Sequence, residues 1–568
     1  MTLPSITETP NELTTDIDVA SPEGIVRLLR ASDSQIYNGY RTFPALCDDE
    51  IIAKMVRVVE WAVPLIGCED AVIVISGAGT SGRLAMFVAR TFNALLTQRK
   101  RTPNFRYLMA GGNKALIKAQ EGAEDDPHQA WTDLQAAIDG RKRVLYIGVT
   151  CGFSASYIAG QLFHLSKRRG ARSVLLGFNP EDRARDVPVE NWDKTFADVV
   201  RLICRKENCL ILNPVVGPEP ITGSTRMKGG SATKLILETI FSFATAQATA
   251  TRRFRTQRPS ALAIQASVRL YEMTRQHVYR QFAQMARLVA AGGEALRSGG
   301  HIYYVGSGAP GILGIVDASE CPPTFGADFE DVRGFLVGGW RTLLGPGQDL
   351  SEEGPFYRIS LDDFLREKIP GLTGRDLVVG IADRSFDRRV LEALRRSKRA
   401  GARIAGIQLA RARVPGLRWD GLVQVPGGQF LVRGWPDFCQ EYATKLVLNA
   451  LTTGAHILCG KVYQNRMVDL RISNNKLYYR TLGIIQHITG VSAEQAKRCL
   501  LRAIFQTDRL TPAMLHATPS RCVEAATNAT KVVPKALVMA GGHVSYAEAD
   551  RMIRREPIVR AAIEKLKK

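Results

Sequence analysis

Short unbroken runs of Val, Ile and Leu recur through the middle of the chain, each running into glycine and then into a helical stretch. AVIVISG at 71 opens the series and passes into GAGTSGRLAMFVARTFN; VLYIGVT at 144 and SVLLGFN at 173 follow. About 230 residues on, the same grammar returns in HIYYVGSGAPGILGIVDASECPPTFG at 301, LVVGIAD at 377 and RIAGIQL at 403. A second marker follows each opening, LMAGGNKAL at 108 and FLVGGWRTL at 335, and each copy closes on a shared core, ATKLILETI at 232 and ATKLVLNAL at 443. Continuous apolar runs bounded by glycine are strands buried on both faces, and their alternation with helices is the mark of a parallel sheet covered on both sides. The fold class predicted is α/β: two tandem doubly wound parallel-sheet domains, residues 45–250 and 260–460, closed by long amphipathic helices. Residues 1–44 form an N-terminal arm. Residues 480–568 lack strand patterns and read as an all-helical cap, with capping signals at Ser492 (Ser-x-x-Gln) and Ser545.

Composition narrows the picture. With 568 residues, 45% hydrophobic, 23% charged and a formal net charge of +21, the chain is globular rather than disordered. No apolar stretch approaches the roughly 18 residues of a membrane span, and the acidic start MTLPSITETPNELTTDID is no secretory signal. Ten cysteines without a C-x-x-C pair imply reduced thiols and a cytoplasmic or nuclear protein. The eight histidines share no ligand spacing, so neither metal nor cofactor is expected. Basic clusters at Arg99–Arg101, Lys167–Arg169, Arg252–Arg258 and Arg395–Arg399, following helices or in loops, are not interleaved with aromatics. They predict solvated faces that attract small anions, and no nucleic-acid partner.

Ligands of open α/β sheets bind outside the carboxyl ends of the strands. Four first-copy loops fall there. Gly77-Ala78-Gly79-Thr80-Ser81-Gly82-Arg83 offers hydroxyls at a helix start whose amides favour an anion. Its G-x-G-x-x-G spacing lacks the acidic residue about 20 positions on that a dinucleotide ribose requires, and the P-loop lysine is absent. Thr150-Cys151-Gly152-Phe153-Ser154 again places hydroxyls around a glycine, suited to a phosphate or to an N-cap and turn. Thr222–Ser231 gathers hydroxyls, glycines and the cations Arg226 and Lys228 ahead of a helix, and Glu121–Asp125 is an acidic turn after a helical stretch at 115–120. The second copy keeps the glycine spacing with Ala309-Pro310 in place of Thr-Ser, and puts Asp383 where a phosphate would sit. It contributes instead Asp317–Gly326, with Glu320 at a helix end ahead of two prolines. One site assembled from both copies is expected.

Several of these motifs also carry a resemblance. TETPNELTTDID at 7, GAGTSGR at 77, EGAED at 121, GPEPITGSTRMKGGSATK at 217, DASECPPTFG at 317 and NRMVDLRISNNKL at 465 resemble the tandem sugar isomerase (SIS) domain proteins. That group holds the glucokinase regulatory proteins and the bacterial N-acetylmuramic acid 6-phosphate etherases, and two SIS domains in one chain look like the regulatory branch. The resemblance implies a fructose phosphate, fructose 6-phosphate foremost, as ligand and a glucokinase or hexokinase as the inhibited partner. It places the phosphate near Gly79, Thr80, Ser81, Thr150, Gly152 and Ser154, and the sugar near Glu124, Ser224, Thr225, Glu320 and Lys476. Thr150 stands where the family has serine, and Pro323 where vertebrate regulators have a histidine. The alternative the same resemblance implies is an etherase-like lyase, in which Glu124 and Glu320 divide base and acid labour.

Overall fold

The computed structural model describes residues 5–120, 122–189, 192–250, 260–409, 414, 417–425, 435–470, 472 and 475–567. Two five-stranded parallel sheets form as the apolar runs demand. The first holds β1 (Ala71–Gly77), β2 (Phe105–Met109), β3 (Arg143–Val149), β4 (Ala171–Leu176) and β5 (Cys209–Leu212) in the order β2-β1-β3-β4-β5. The second holds β6 (Ile302–Gly306), β7 (Val332–Leu336), β8 (Leu377–Ile381), β9 (Arg403–Leu409) and β10 (Gly421–Val425) in the order β10-β9-β8-β6-β7. Reversed, that is the order of the first, so the repeat extends to topology. The opening strands β1 and β6 each run parallel to two neighbours, Val74 lying opposite Arg106 and Tyr146, and Tyr304 opposite Gly334 and Val379.

The edge strands are the ones the apolar runs do not announce. β5 has only four residues, and β10 leaves Gln424 exposed, because a strand with one partner need not be apolar on both faces.

Six helices matter for the site: α1 (Pro22–Asn38), α2 (Gly79–Gln98), α3 (Lys228–Thr249), α4 (Gly308–Phe325), α5 (Phe438–Leu458) and α6 (Asn475–Thr489). The closing helices α3 and α5 are not the amphipathic helices expected. Every residue of α5 is buried, as are the first fourteen of α3, because the two lie in the core shared by both domains. One continuous apolar cluster runs from Ile17 to Val462 through α1, α2, α3, α4 and α5, so the two sheets are welded rather than hinged. The arm takes part: α1, capped by Ser21 and started by Pro22, packs Ile25, Val26 and Leu29 into that core, and Tyr37 donates to the Tyr442 hydroxyl at 2.8 Å.

After a two-stranded ladder, Val462–Tyr463 with Arg466–Met467, the chain ends in helices around a separate core that includes Leu500, Leu501, Val533 and Leu537. Ser492 and Ser545 cap helices there as predicted, Ser492 in a full capping box with Gln495. The Arg395–Arg399 cluster, expected beyond a helix or in a loop, instead lies within the helix Arg388–Arg399, where its cations oppose the negative helix end. Among the described residues no helix is long and apolar enough to cross a membrane, and no group of three or more His, Cys, Asp or Glu is placed to hold a metal ion.

Candidate functional site

The carboxyl ends of β1 and β3 and the start of α3 converge on one point. β1 is buried throughout and delivers Gly77 so close to α2 that a side-chain carbon there would lie 2.5 Å from the Ser81 carbonyl carbon. Gly79 has the left-handed φ of +52°, and nothing lies within 4 Å of the place a side chain would take. That combination gives a backbone open to a ligand at a helix start that no side chain caps. Thr80 and Ser81 follow, nearly buried, at 9% and 8% exposure. Across from them lies the buried Cys151 thiol, beside the Ser81 and Thr225 side chains, and burial pushes this thiol up to about 12. Three loops far apart in sequence thus meet at Ser81, Cys151 and Thr225.

Thr150 turns inward as a cap, its hydroxyl accepting from the Ser154 and Ala155 amides at 3.4 Å each, while Ser154 itself is exposed. Ser224 has a buried hydroxyl with no hydrogen-bond partner among the described residues. Such a group costs free energy unless something else satisfies it. The two cations of this loop, by contrast, are engaged internally. Arg226 pairs with Asp317 at 3.1 Å and donates to the Thr452 and Thr453 hydroxyls, and Lys228 donates to the Val216 carbonyl and to Gln35. Glu219 takes the anion position at the start of α3, accepting from the Lys228 and Gly229 amides at 2.8 Å each.

Glu320 is not at a helix end. It lies inside α4, which continues through Pro322 and Pro323 to a left-handed Gly326; burial of Cys321, Thr324 and Phe325 carries the helix past two residues that donate no hydrogen bond. Its carboxylate is held by Arg83 of the first domain at 2.7 Å, with both side chains almost wholly buried. Glu320, Asp317, Thr80, Arg226, Lys445 and Asn449 line one small cavity between the domains, about 20 Å³, room for a water molecule. Both copies therefore contribute to one place, and the second copy's own glycine loop is closed: Asp383 Oδ2 lies 1.9 Å from where a side-chain carbon on Gly308 would be.

Glu124 sits on an exposed 3-10 turn, Ala123–Asp125, behind a left-handed Gly122; Glu121 lies outside the described residues. The helical stretch expected before it is a shorter 3-10 turn, Asn113–Leu116. Lys476 is the second residue of α6, while Ser473 and Asn474 just before that helix lie outside the described residues. The arm supplies neighbours that no loop motif announced. Side-chain carbons on Gly152 and Gly223 would lie 2.9 Å from Thr7 Oγ1 and 2.7 Å from Glu8 Oε2, and Glu8 pairs with Arg480 of α6 at 3.7 Å. Arm, cradle and lid meet through these residues. Arg83 and Lys445 also escaped the sequence reading, although each stands inside a repeated motif whose two copies differ around it.

Family models match along most of the chain: the N-terminal SIS domain of glucokinase regulatory protein over residues 54–166, its second SIS domain over 279–459 and its C-terminal lid domain over 464–563. The human glucokinase regulatory protein is 35% identical over 98% of this chain and 92% of its own length, and that of Xenopus laevis 34% over the same shares. The chain belongs to the glucokinase regulatory protein family. In the terms of that family, the two sheets are its SIS domains and the C-terminal helices its lid. An N-acetylmuramic acid 6-phosphate etherase from Bacillus licheniformis is 35% identical over 36% of this chain and 66% of its own length.

Proposed function

We propose that this protein is a sugar-phosphate-binding regulator: it takes fructose 6-phosphate at the composite site and inhibits a glucokinase or hexokinase. The observation that carries the reading is the convergence of Ser81, Thr225 and the open Gly79 backbone at an uncapped helix start, opposite Glu320 of the second domain. Backbone amides and hydroxyls there suit a phosphate, and a carboxylate suits sugar hydroxyls. Gly79, Thr80, Ser81, Thr150, Gly152 and Ser154 form the phosphate side in this reading. Ser224, Thr225, Glu124, Glu320 and Lys476 form the sugar side. Catalysis is not needed: Arg83 occupies one oxygen of Glu320, which fits a positioned hydrogen-bond acceptor better than a proton donor.

The test is titration calorimetry with fructose 6-phosphate, followed by a glucokinase assay with and without the protein. Binding together with ligand-dependent inhibition is the expected result; binding without inhibition of any hexokinase tested would leave only the sugar-phosphate half of the proposal. A second reading, an etherase-like lyase, draws on the presence of both Glu124 and Glu320 and on the etherase likeness of about a third of the chain. Release of lactate from N-acetylmuramic acid 6-phosphate would establish it in place of the regulator.

A further inference from the structure

The two closing helices superimpose on their shared Ala-Thr-Lys-Leu, which equates Lys234 of α3 with Lys445 of α5. In the second copy's closed site, Lys234 is fully buried and neutralised twice, by Glu238 four residues on and by Glu441 at 2.9 Å. The positions equivalent to those carboxylates in the first copy are Asn449 and Gly230. Both counter-ions are thus missing around Lys445. Its ammonium, in a residue only 6% exposed, donates to the Arg226 carbonyl at 2.8 Å, and no carboxylate of a described residue lies within ion-pair reach.

Of these two positions, Asn449 lines the cavity beside Lys445. A side-chain carbon on Gly230 would lie 3.4 Å from Lys445 Nζ and 3.1 Å from Thr80 Cγ2, so cation and phosphate loop adjoin the same point. A buried cation that keeps its charge without a counter-ion is costly, and an ammonium has three donors, of which the described residues engage one. In the same loop as Arg226, Ser224 adds a buried hydroxyl without a hydrogen-bond partner among the described residues.

We propose that Lys445 is a ligand-binding cation of the composite site, supplied by the second domain to an anionic oxygen of the sugar phosphate. This inference rests on the proposed function and names a residue that reading does not use. It makes the second SIS domain an electrostatic half of the site rather than a passive wall. Burial lowers the Lys445 ammonium to about 8, against the raising effect of Asp317; Arg226 lowers it further, while Asp33 and Glu219 raise it. Glu320 and Asn449 also line the cavity. Binding is then strongest below pH 8 and weakens as the free protein loses that proton, about tenfold per pH unit.

The experiment is fructose 6-phosphate calorimetry on the full chain from pH 7 to 9, with melting curves, for the wild type, Lys445→Met, Lys445→Arg and Ser81→Ala. Lys445→Met should weaken binding at pH 7 by about tenfold or more and raise the melting temperature of the unliganded protein, because an unpaired buried charge is gone. Lys445→Arg, charged throughout, should flatten the pH profile while Glu219 and Lys228, which titrate in the same range, remain in place. Wild-type affinity in Lys445→Met with weakened binding in Ser81→Ala would overturn the inference and leave the proposed function standing. A lowered melting temperature in Lys445→Met would mark the lysine as structural and overturn it too. No fructose 6-phosphate binding by the wild type at pH 7 would end both.

Discussion

Ser81 and Arg83 stand two positions apart on α2 and answer to different physics. Ser81 lies beside the Cys151 thiol at the open mouth of the cradle, so under the proposed function its loss removes one hydrogen bond to the phosphate. Ser81→Ala should cost about 1.5–3 kcal/mol of fructose 6-phosphate affinity with little change in stability, read by calorimetry and a melting curve. Arg83 instead holds Glu320 and donates to the carbonyls of Ala115 and Leu116, with 1% of its side chain exposed. Arg83→Met leaves a buried carboxylate unpaired and should destabilise the protein by about 3–5 kcal/mol in urea unfolding, whereas Arg83→Met with Glu320→Met should recover much of that loss. The sequence made Glu320 legible as an acidic residue in a telling motif. It did not reveal Arg83 as its partner, because 237 residues separate them.

At the scale of elements, the arm and the lid act together. Arg560, on the final helix Val559–Lys567, binds Asp16 at 2.8 Å and lies 3.7 Å from the buried Asp18. Burial raises the Asp18 carboxyl from 3.8 to about 6. A carboxyl that binds its proton more tightly when folded supports the fold fully below pH 3.8, and that support is lost as pH rises through about 6. Asp18→Asn should therefore match the wild type near pH 4 and become progressively more stable by pH 7; an equal gap across pH 4–7 would contradict this, with thermal melts at each pH as the measurement. On the other side of the arm, Glu8 reaches Arg480, one turn beyond Lys476 on α6. Fructose 6-phosphate should slow hydrogen exchange in the first turns of α6, and Lys476→Ala should abolish both the protection and part of the affinity. Persistence of both would assign the lid another task.

For the whole molecule, the repeat supplies two glycine loops and the side chains leave one of them open. Asp383 fills the second glycine loop, whereas the space beside Gly79 is open. Titration with fructose 6-phosphate should give a stoichiometry near one per chain, and two equal sites would refute the composite arrangement. One apolar core continues through both domains, and the arm meets the lid through the Glu8–Arg480 pair, so in the proposed reading the arm and the lid are the elements placed to respond to the ligand.

What the sequence determined by itself follows from local pattern. Apolar runs specified the buried parallel strands, glycines the sharp turns into helices, and hydroxyls at those turns the candidate cradle, because each depends on neighbours within a few residues. Edge strands β5 and β10 escaped, being short or polar on one face. The tertiary structure alone decided which charges are spent. It tied Arg226 to Asp317 and Lys234 to Glu238 and Glu441, laid Thr7 and Glu8 of the arm over the cradle, and left Lys445 without a carboxylate among the described residues. Except for Lys234–Glu238, a single helical turn apart, these partners are more than ninety residues apart in sequence, and burial, which sets the strength of each charge, exists only once the two domains have closed on each other.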